Sequence, residues 1–127
     1  SLMELDNSFG DSAVDASDYH DMQELMAASE ILISDYSSCL FDFMLTRRPA
    51  FIFATDLAEY ENDRGFYYSP RTTPFPIAES NEELARAISG FDLDRYREAV
   101  AEFLAEKGCR EDGQASRRVV DLLQSLI

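Results

Sequence analysis

The sequence predicts an α/β domain built on a short parallel sheet, and three neighbouring stretches carry that expectation. Ile31 to Ser34 (ILIS) and Ala50 to Ala54 (AFIFA) are continuous apolar runs without period-two alternation, the pattern of strands covered on both faces. Between them, Tyr36 to Thr46 is apolar almost all round, which suits a helix buried on more than one side. Strand, helix and strand in that order predict adjacent parallel strands joined by a right-handed crossover.

The chain has 127 residues, 46% of them hydrophobic. That length suits one domain with a real core. Residues 1–11 are polar and glycine-containing and read as a disordered or appended tail, leaving 12–127 as the folded unit. Ser1-Leu2 ahead of Met3 resembles a cloning remnant, so a piece excised from a longer protein is expected. Ser12 to Ser17 is read as a short strand carried by Val14. A helix is expected to begin at Asp18, with Asp21 in its first turn and Met22, Leu25 and Met26 on one face.

After the apolar helix, Arg47-Arg48-Pro49 provides a stop, because proline cannot continue a helix. Thr55 to Pro76 reads as a long loop. It holds three of the four prolines and many aromatics, and a loop of that length in a compact domain is usually functional. Ser80 with Glu83 forms a capping box for a helix through Ser89, ended by Gly90. Asp92 caps the next helix, with Tyr96, Val100, Phe103 and Leu104 inward and Gly108 closing it. Asp112-Gly113 precedes a last helix carrying Val119, Val120, Leu122, Leu123 and Ile127. About three strands and about five helices result, fewer strands than a doubly wound nucleotide-binding domain usually has. The N-terminal part of the sheet is therefore expected to lie outside this sequence.

The chemistry concentrates in Asp35-Tyr36-Ser37-Ser38. In open α/β sheets, ligands bind beyond the carboxyl ends of the strands, where these residues fall. A helix start offers free N–H groups and the positive end of the dipole, and paired hydroxyls add donors suited to phosphate. The competing reading makes Ser37 or Ser38 a simple N-cap.

Charge excludes some partners. The net charge is −14, and ten acidic residues but no lysine or arginine precede Arg47. Such a surface repels nucleic acid and is no polybasic membrane anchor. No window approaches the roughly 18 apolar residues of a membrane span, and the N-terminus lacks a leader pattern. Cys39 and Cys109 match no metal or redox spacing, so Cys39 is read as a small core residue and a reducing compartment is expected. The acidic residues Asp15, Asp18, Asp21 and Glu24 read as a solvated helix face, and no metal site or cofactor is expected.

Several segments together resemble the CDP-glycerol glycerophosphotransferase family, the teichoic-acid polymerases and primases. They are DYHDMQELMAASEILISDYSSCLFDFMLTRRPAFIF (Asp18 to Phe53), DLAEYENDRGFYY (Asp56 to Tyr68), FPIAESNEEL (Phe75 to Leu84) and DGQASRRVVDLL (Asp112 to Leu123). The resemblance implies a GT-B enzyme with its active site between two Rossmann-like domains, this chain being the C-terminal portion of the nucleotide-binding one. It implies transfer of a polyol phosphate from a CDP-activated donor to a polymer or lipid-linked acceptor, releasing CMP, in the cytoplasm at the inner membrane face. Carried over residue by residue, Ser37 and Ser38 fall at the phosphate-binding turn, with Asp35 and Asp42 at acidic positions of the same motif. Arg64 and Gly65 match a loop near the nucleotide, and Asp112 to Ser116 match the start of the closing helix.

The family's catalytic histidines lie upstream, one in a His-Pro segment absent here. The only histidine, His20, is expected to cap a helix or meet solvent, so no catalytic residue is assigned to this chain and the piece alone is expected to be inactive. Two other readings remain open from the residues: a GT-B glycosyltransferase using another sugar nucleotide, and a receiver-like module with Asp35 at a strand end.

Overall fold

The computed structural model describes residues 12–57 and 69–126. Its sheet has three parallel strands, β1 (Leu32–Ser34), β2 (Ala50–Phe53) and β3 (Ile77–Ala78), side by side in that order. Leu32, Ile33 and Ser34 stand opposite Ala50, Phe51 and Ile52, and Ile52 and Phe53 stand opposite Ile77 and Ala78. The expected adjacency and parallel sense of the first two strands are therefore observed.

The third strand is not the expected one. Ser12 to Ser17 forms no strand, and Val14 is 89% exposed. A strand needs a ladder partner, and that segment finds none among the described residues, whereas Ile77 and Ala78 lie against β2. Two bonds continue this ladder past the short strand: Ile52 N–H donates to the Pro76 carbonyl and Ala54 N–H to the Ala78 carbonyl, each at 2.9 Å.

Helix α1 (Met22–Ala28) starts later than its sequence suggests, because Asp21 rather than Asp18 is the cap. The Asp21 carboxylate accepts from the N–H groups of Gln23 and Glu24 at 2.8 and 3.1 Å. Helix α2 is Cys39–Met44, shorter than the apolar run Tyr36 to Thr46. At its end Arg47 adopts φ 57°, a left-handed conformation uncommon outside glycine, and Pro49 follows. Helix α3 (Asn81–Ser89) has the expected Ser80 cap, with Glu83 N–H donating to the serine hydroxyl oxygen. Helix α4 (Leu93–Glu106) is capped by Asp92, and α5 (Ala115–Ser125) closes the described chain.

The core lies where α2 and α4 meet one face of the sheet. Leu40, Phe43 and Met44 from α2, Tyr96, Val100 and Phe103 from α4, and Ala50, Ile52 and Ala54 from β2 and its end are all buried together. Alternation turns Phe51 to the opposite face, where the Phe91 ring meets it at 5.1 Å. Arg48 ties the lower end of the unit. Its Nη1 donates to the Ala27 carbonyl at 2.9 Å and to the Ser29 carbonyl, and its guanidinium lies 5.2 Å from the centre of the Phe43 ring. A cation thereby serves the carboxyl end of α1, whose last turn has no basic residue of its own.

Candidate functional site

The turn Asp35–Ser38 leaves β1 at its carboxyl end and leads into α2, as the position of a ligand site in an α/β sheet requires. Its hydrogen bonding bears on both roles open to the serines. Ser38 occupies the cap position of α2 with helical dihedrals (φ −61°, ψ −19°) and makes no side-chain cap bond. Ser37 accepts from the Cys39 N–H at a long 3.4 Å. The backbone N–H groups of Ser37 and Ser38 meet no acceptor among the described residues. The turn thus offers two N–H groups and two hydroxyls within adjacent residues, a concentration of donors suited to a phosphate oxygen. With only six residues in α2, these donors and not the helix dipole would supply most of the attraction.

Asp35, Tyr36 and Ser37 line a small pocket with Leu40, Phe41, Ile52, Pro70, Thr73 and Phe75. It holds about 30 Å³, room for about two waters. A nucleotide would have to lie across its rim, with phosphates at the serines. Cys39 is half-buried at this turn rather than a core residue, its thiol 3.7 Å from the Ser34 hydroxyl.

Asp42 is set apart from Asp35 and Ser37. It is exposed and borders an open groove of about 300 Å³ with Gln23, Met26, Thr46 and Arg48, between α1 and α2. Asp112 makes a local clamp at the start of α5. Its two carboxylate oxygens each accept from Arg118 Nη1 at 2.8 Å, and one also accepts from the Gln114 N–H at 3.0 Å. These bonds hold the carboxyl below the usual carboxylate range, the Arg118 side chain contributing most. Gly113 next to it has φ 71°, a conformation that favours glycine. Ser116 is exposed in the first turn of α5. Arg64 and Gly65 lie outside the described residues. His20 is exposed and stacks on Tyr19, with ring centres 5.1 Å apart.

One contact escaped the sequence reading. The Tyr36 hydroxyl donates to Asp56 Oδ1 at 2.9 Å, across 20 residues. No local pattern announces a pairing at that separation; both residues become neighbours only because β1 and β2 are adjacent and parallel.

The profile of the "CDP-Glycerol:Poly(glycerophosphate) glycerophosphotransferase" family matches residues 3–125. A teichoic acid glycerol-phosphate transferase of Staphylococcus aureus is 39% identical over 113 residues, covering 86% of this chain and 29% of the relative. A teichoic acid ribitol-phosphate primase of Bacillus spizizenii is 32% identical over 118 residues, covering 92% of this chain and 30% of the relative. The solved structure of the wall teichoic acid polymerase TagF is similar with a TM-score of 0.75 at 35% identity, over 95% of this chain and 31% of that one. A TagF variant soaked with CDPG is similar with a TM-score of 0.76, also at 35% identity and over the same 95% and 31% shares. The chain thus spans under a third of the length of these relatives. With nearly its whole length matched in sequence and in fold, the chain belongs to the CDP-glycerol:poly(glycerophosphate) glycerophosphotransferase family.

Proposed function

We propose that this chain forms the donor-binding part of a polyol-phosphate transferase that builds teichoic acid or a related cell-surface polymer, as the C-terminal portion of a GT-B fold. The observation that carries the reading is the free donor cluster of Ser37 and Ser38 at the carboxyl edge of the sheet. The donor is CDP-glycerol or a similar CDP-polyol. An acceptor hydroxyl attacks the phosphorus that carries the polyol, the diphosphate P–O bond breaks, and CMP leaves with the bond's electron pair. Hydrogen bonds aimed at the diphosphate would stabilise the charge gathering on the leaving group.

The net charge of −14 opposes a diphosphate at long range, so binding rests on these short-range donors. Asp35 is exposed on the same turn. Its carboxylate would repel a phosphate, so it fits a hydroxyl of the ribose or the polyol, which donates to it. Asp42, across α2, serves a different surface from the serines. Arg64, Gly65 and the Asp112–Ser116 segment complete the nucleotide site in this reading, with Asp112 acting through the start of α5. The proton of the attacking hydroxyl goes to a base supplied by the rest of the enzyme, whose N-terminal domain faces this one. Among the described residues no helix is long and apolar enough to cross a membrane, and the full-length enzyme would meet its lipid-linked acceptor peripherally, at the cytoplasmic face.

Calorimetric titration of the full-length enzyme with CDP-glycerol, CDP, UDP and ADP tests the reading. A preference for the cytidine nucleotides is expected. Equal affinity for all of them, or sugar transfer from UDP- or GDP-sugars with CDP-glycerol inert, would reject the donor assignment in favour of a glycosyltransferase.

A further inference from the structure

The Ser37 and Ser38 carbonyls accept from the Leu40 and Phe41 N–H groups at 3.3 and 3.0 Å, which ties the turn to α2. The serine side chains add little, since Ser38 makes no cap bond and the Ser37 oxygen takes one long N–H contact. The β1 side of the turn therefore relies on contacts from elsewhere in the fold. Tyr36 stands between Asp35 and Ser37 in sequence, and its ring lines the small pocket with both of them. The Tyr36 hydroxyl reaches Asp56, in the segment that follows β2, at 2.9 Å. This bond spans the carboxyl ends of β1 and β2 and joins two segments that are otherwise 20 residues apart.

The geometry points to Tyr36 and Asp56 as a pair of positioning residues for donor binding: their hydrogen bond fixes the tyrosine ring and, through the backbone on either side of it, the direction of the Ser37 and Ser38 donors. This inference rests on the reading of those serines as the phosphate site. In this role neither residue of the pair needs to touch the phosphates. Asp56 acts as the acceptor, and Tyr36 as the strut. A charged acceptor strengthens such a bond relative to a neutral pair, which suits a tie at an exposed edge. Because the contact organises a site before the donor arrives, its loss should appear in donor affinity more than in the rate of the chemical step.

Steady-state kinetics of the full-length enzyme test this with four variants. Tyr36→Phe keeps the ring and removes the donor, so KM for CDP-glycerol should rise about fivefold, one net hydrogen bond's worth, with kcat little changed. Asp56→Ala should match it. Asp56→Asn, which retains an acceptor oxygen, should restore most of the affinity, and Tyr36→Phe combined with Asp56→Ala should be no worse than either alone. A lower melting temperature with unchanged KM in Tyr36→Phe would overturn the inference, as would additive effects in the double variant. Ser37→Ala with Ser38→Ala separates the two levels. If the serine pair raises KM and Tyr36→Phe does not, the positioning role fails and the phosphate site stands. If the serine pair leaves KM unchanged, the phosphate site itself fails and the positioning role falls with it.

Discussion

Ile33 and Phe51 stand opposite each other in register on neighbouring strands, yet Phe51 is 1% exposed and Ile33 46%. They share a face of the sheet, and on the β2 side the Phe91 ring packs on Phe51 at 5.1 Å. The neighbouring Ile31 is also 44% exposed. Residues of similar apolarity thus contribute unequally. Phe51→Ala should cost about 3–5 kcal/mol, the usual range for emptying a closely packed aromatic site. Ile33→Ala should cost about 1 kcal/mol or less, since roughly half of that side chain already meets water. Denaturant unfolding of the 127-residue chain compares them; equal losses would mean that Ile33 is covered in solution.

Tyr96 is 4% exposed, and its hydroxyl makes no regular hydrogen bond among the described residues, lying near the Ala50 backbone. Burial pushes its pKa up to about 12, only partly offset by that backbone neighbour. The folded chain therefore keeps the phenol neutral at a pH where the unfolded chain, with its ordinary value of 10.0, ionises. Stability from this group is fully present below pH 10, then falls as pH rises toward 12. Tyr96→Phe should flatten that part of the alkaline unfolding curve. It should also leave stability at neutral pH unchanged or slightly higher, because it removes a hydroxyl whose proton meets no acceptor among the described residues. A large loss at neutral pH would show that the hydroxyl is satisfied in solution.

What the sequence made legible follows from the range of the forces involved. The caps at Ser80 and Asp92 and the inward face Tyr96, Val100 and Phe103 depend on neighbours a few residues away, and all appear as expected. The two apolar strands announce themselves by their continuous runs. The third strand does not: Ile77-Ala78 is too short to carry a pattern, and only the adjacent edge of β2 makes it a strand. Val14 failed for the converse reason, a local propensity without a partner. At the site, the Asp35–Ser38 turn was legible because it is contiguous. The Tyr36–Asp56 bond and the separation of Asp42 from Asp35 depend on which way α2 turns and which strands adjoin, and no spacing rule encodes either.

The Asp112–Arg118 pair gives a prediction with the opposite pH sense. The Asp112 carboxyl is held low by the Arg118 side chain first and the Gln114 N–H next. Its contribution is present above the ordinary value of 3.8 and is lost as pH falls through the lowered one. Both partners are exposed, so the effect should be local fraying of α5, not global unfolding. Amide exchange at the start of α5 should quicken in Asp112→Ala at pH 6. In the unaltered chain the protection of these amides relative to their intrinsic exchange rate should fall as pH drops from 3.8 through the lowered value. Unchanged exchange in Asp112→Ala would mean that the helix start is held by other contacts.

The serine turn yields the prediction on which the donor reading stands. Ser38 makes no cap bond and Ser37 accepts only one long contact, so converting both to alanine should change stability by less than about 1 kcal/mol. If their hydroxyls hold the donor's phosphates, the same change removes bonds to charged oxygens worth about 1.5–3 kcal/mol each. The full-length enzyme should then lose at least about tenfold in kcat/KM for CDP-glycerol while its melting temperature stays nearly constant. The combination matters because a capping role predicts the reverse: a lower melting temperature with donor kinetics intact. Backbone N–H groups of Ser37 and Ser38 survive the substitution, so some donor use should persist rather than vanish. Unchanged kcat/KM in this double variant would remove the phosphate from the turn.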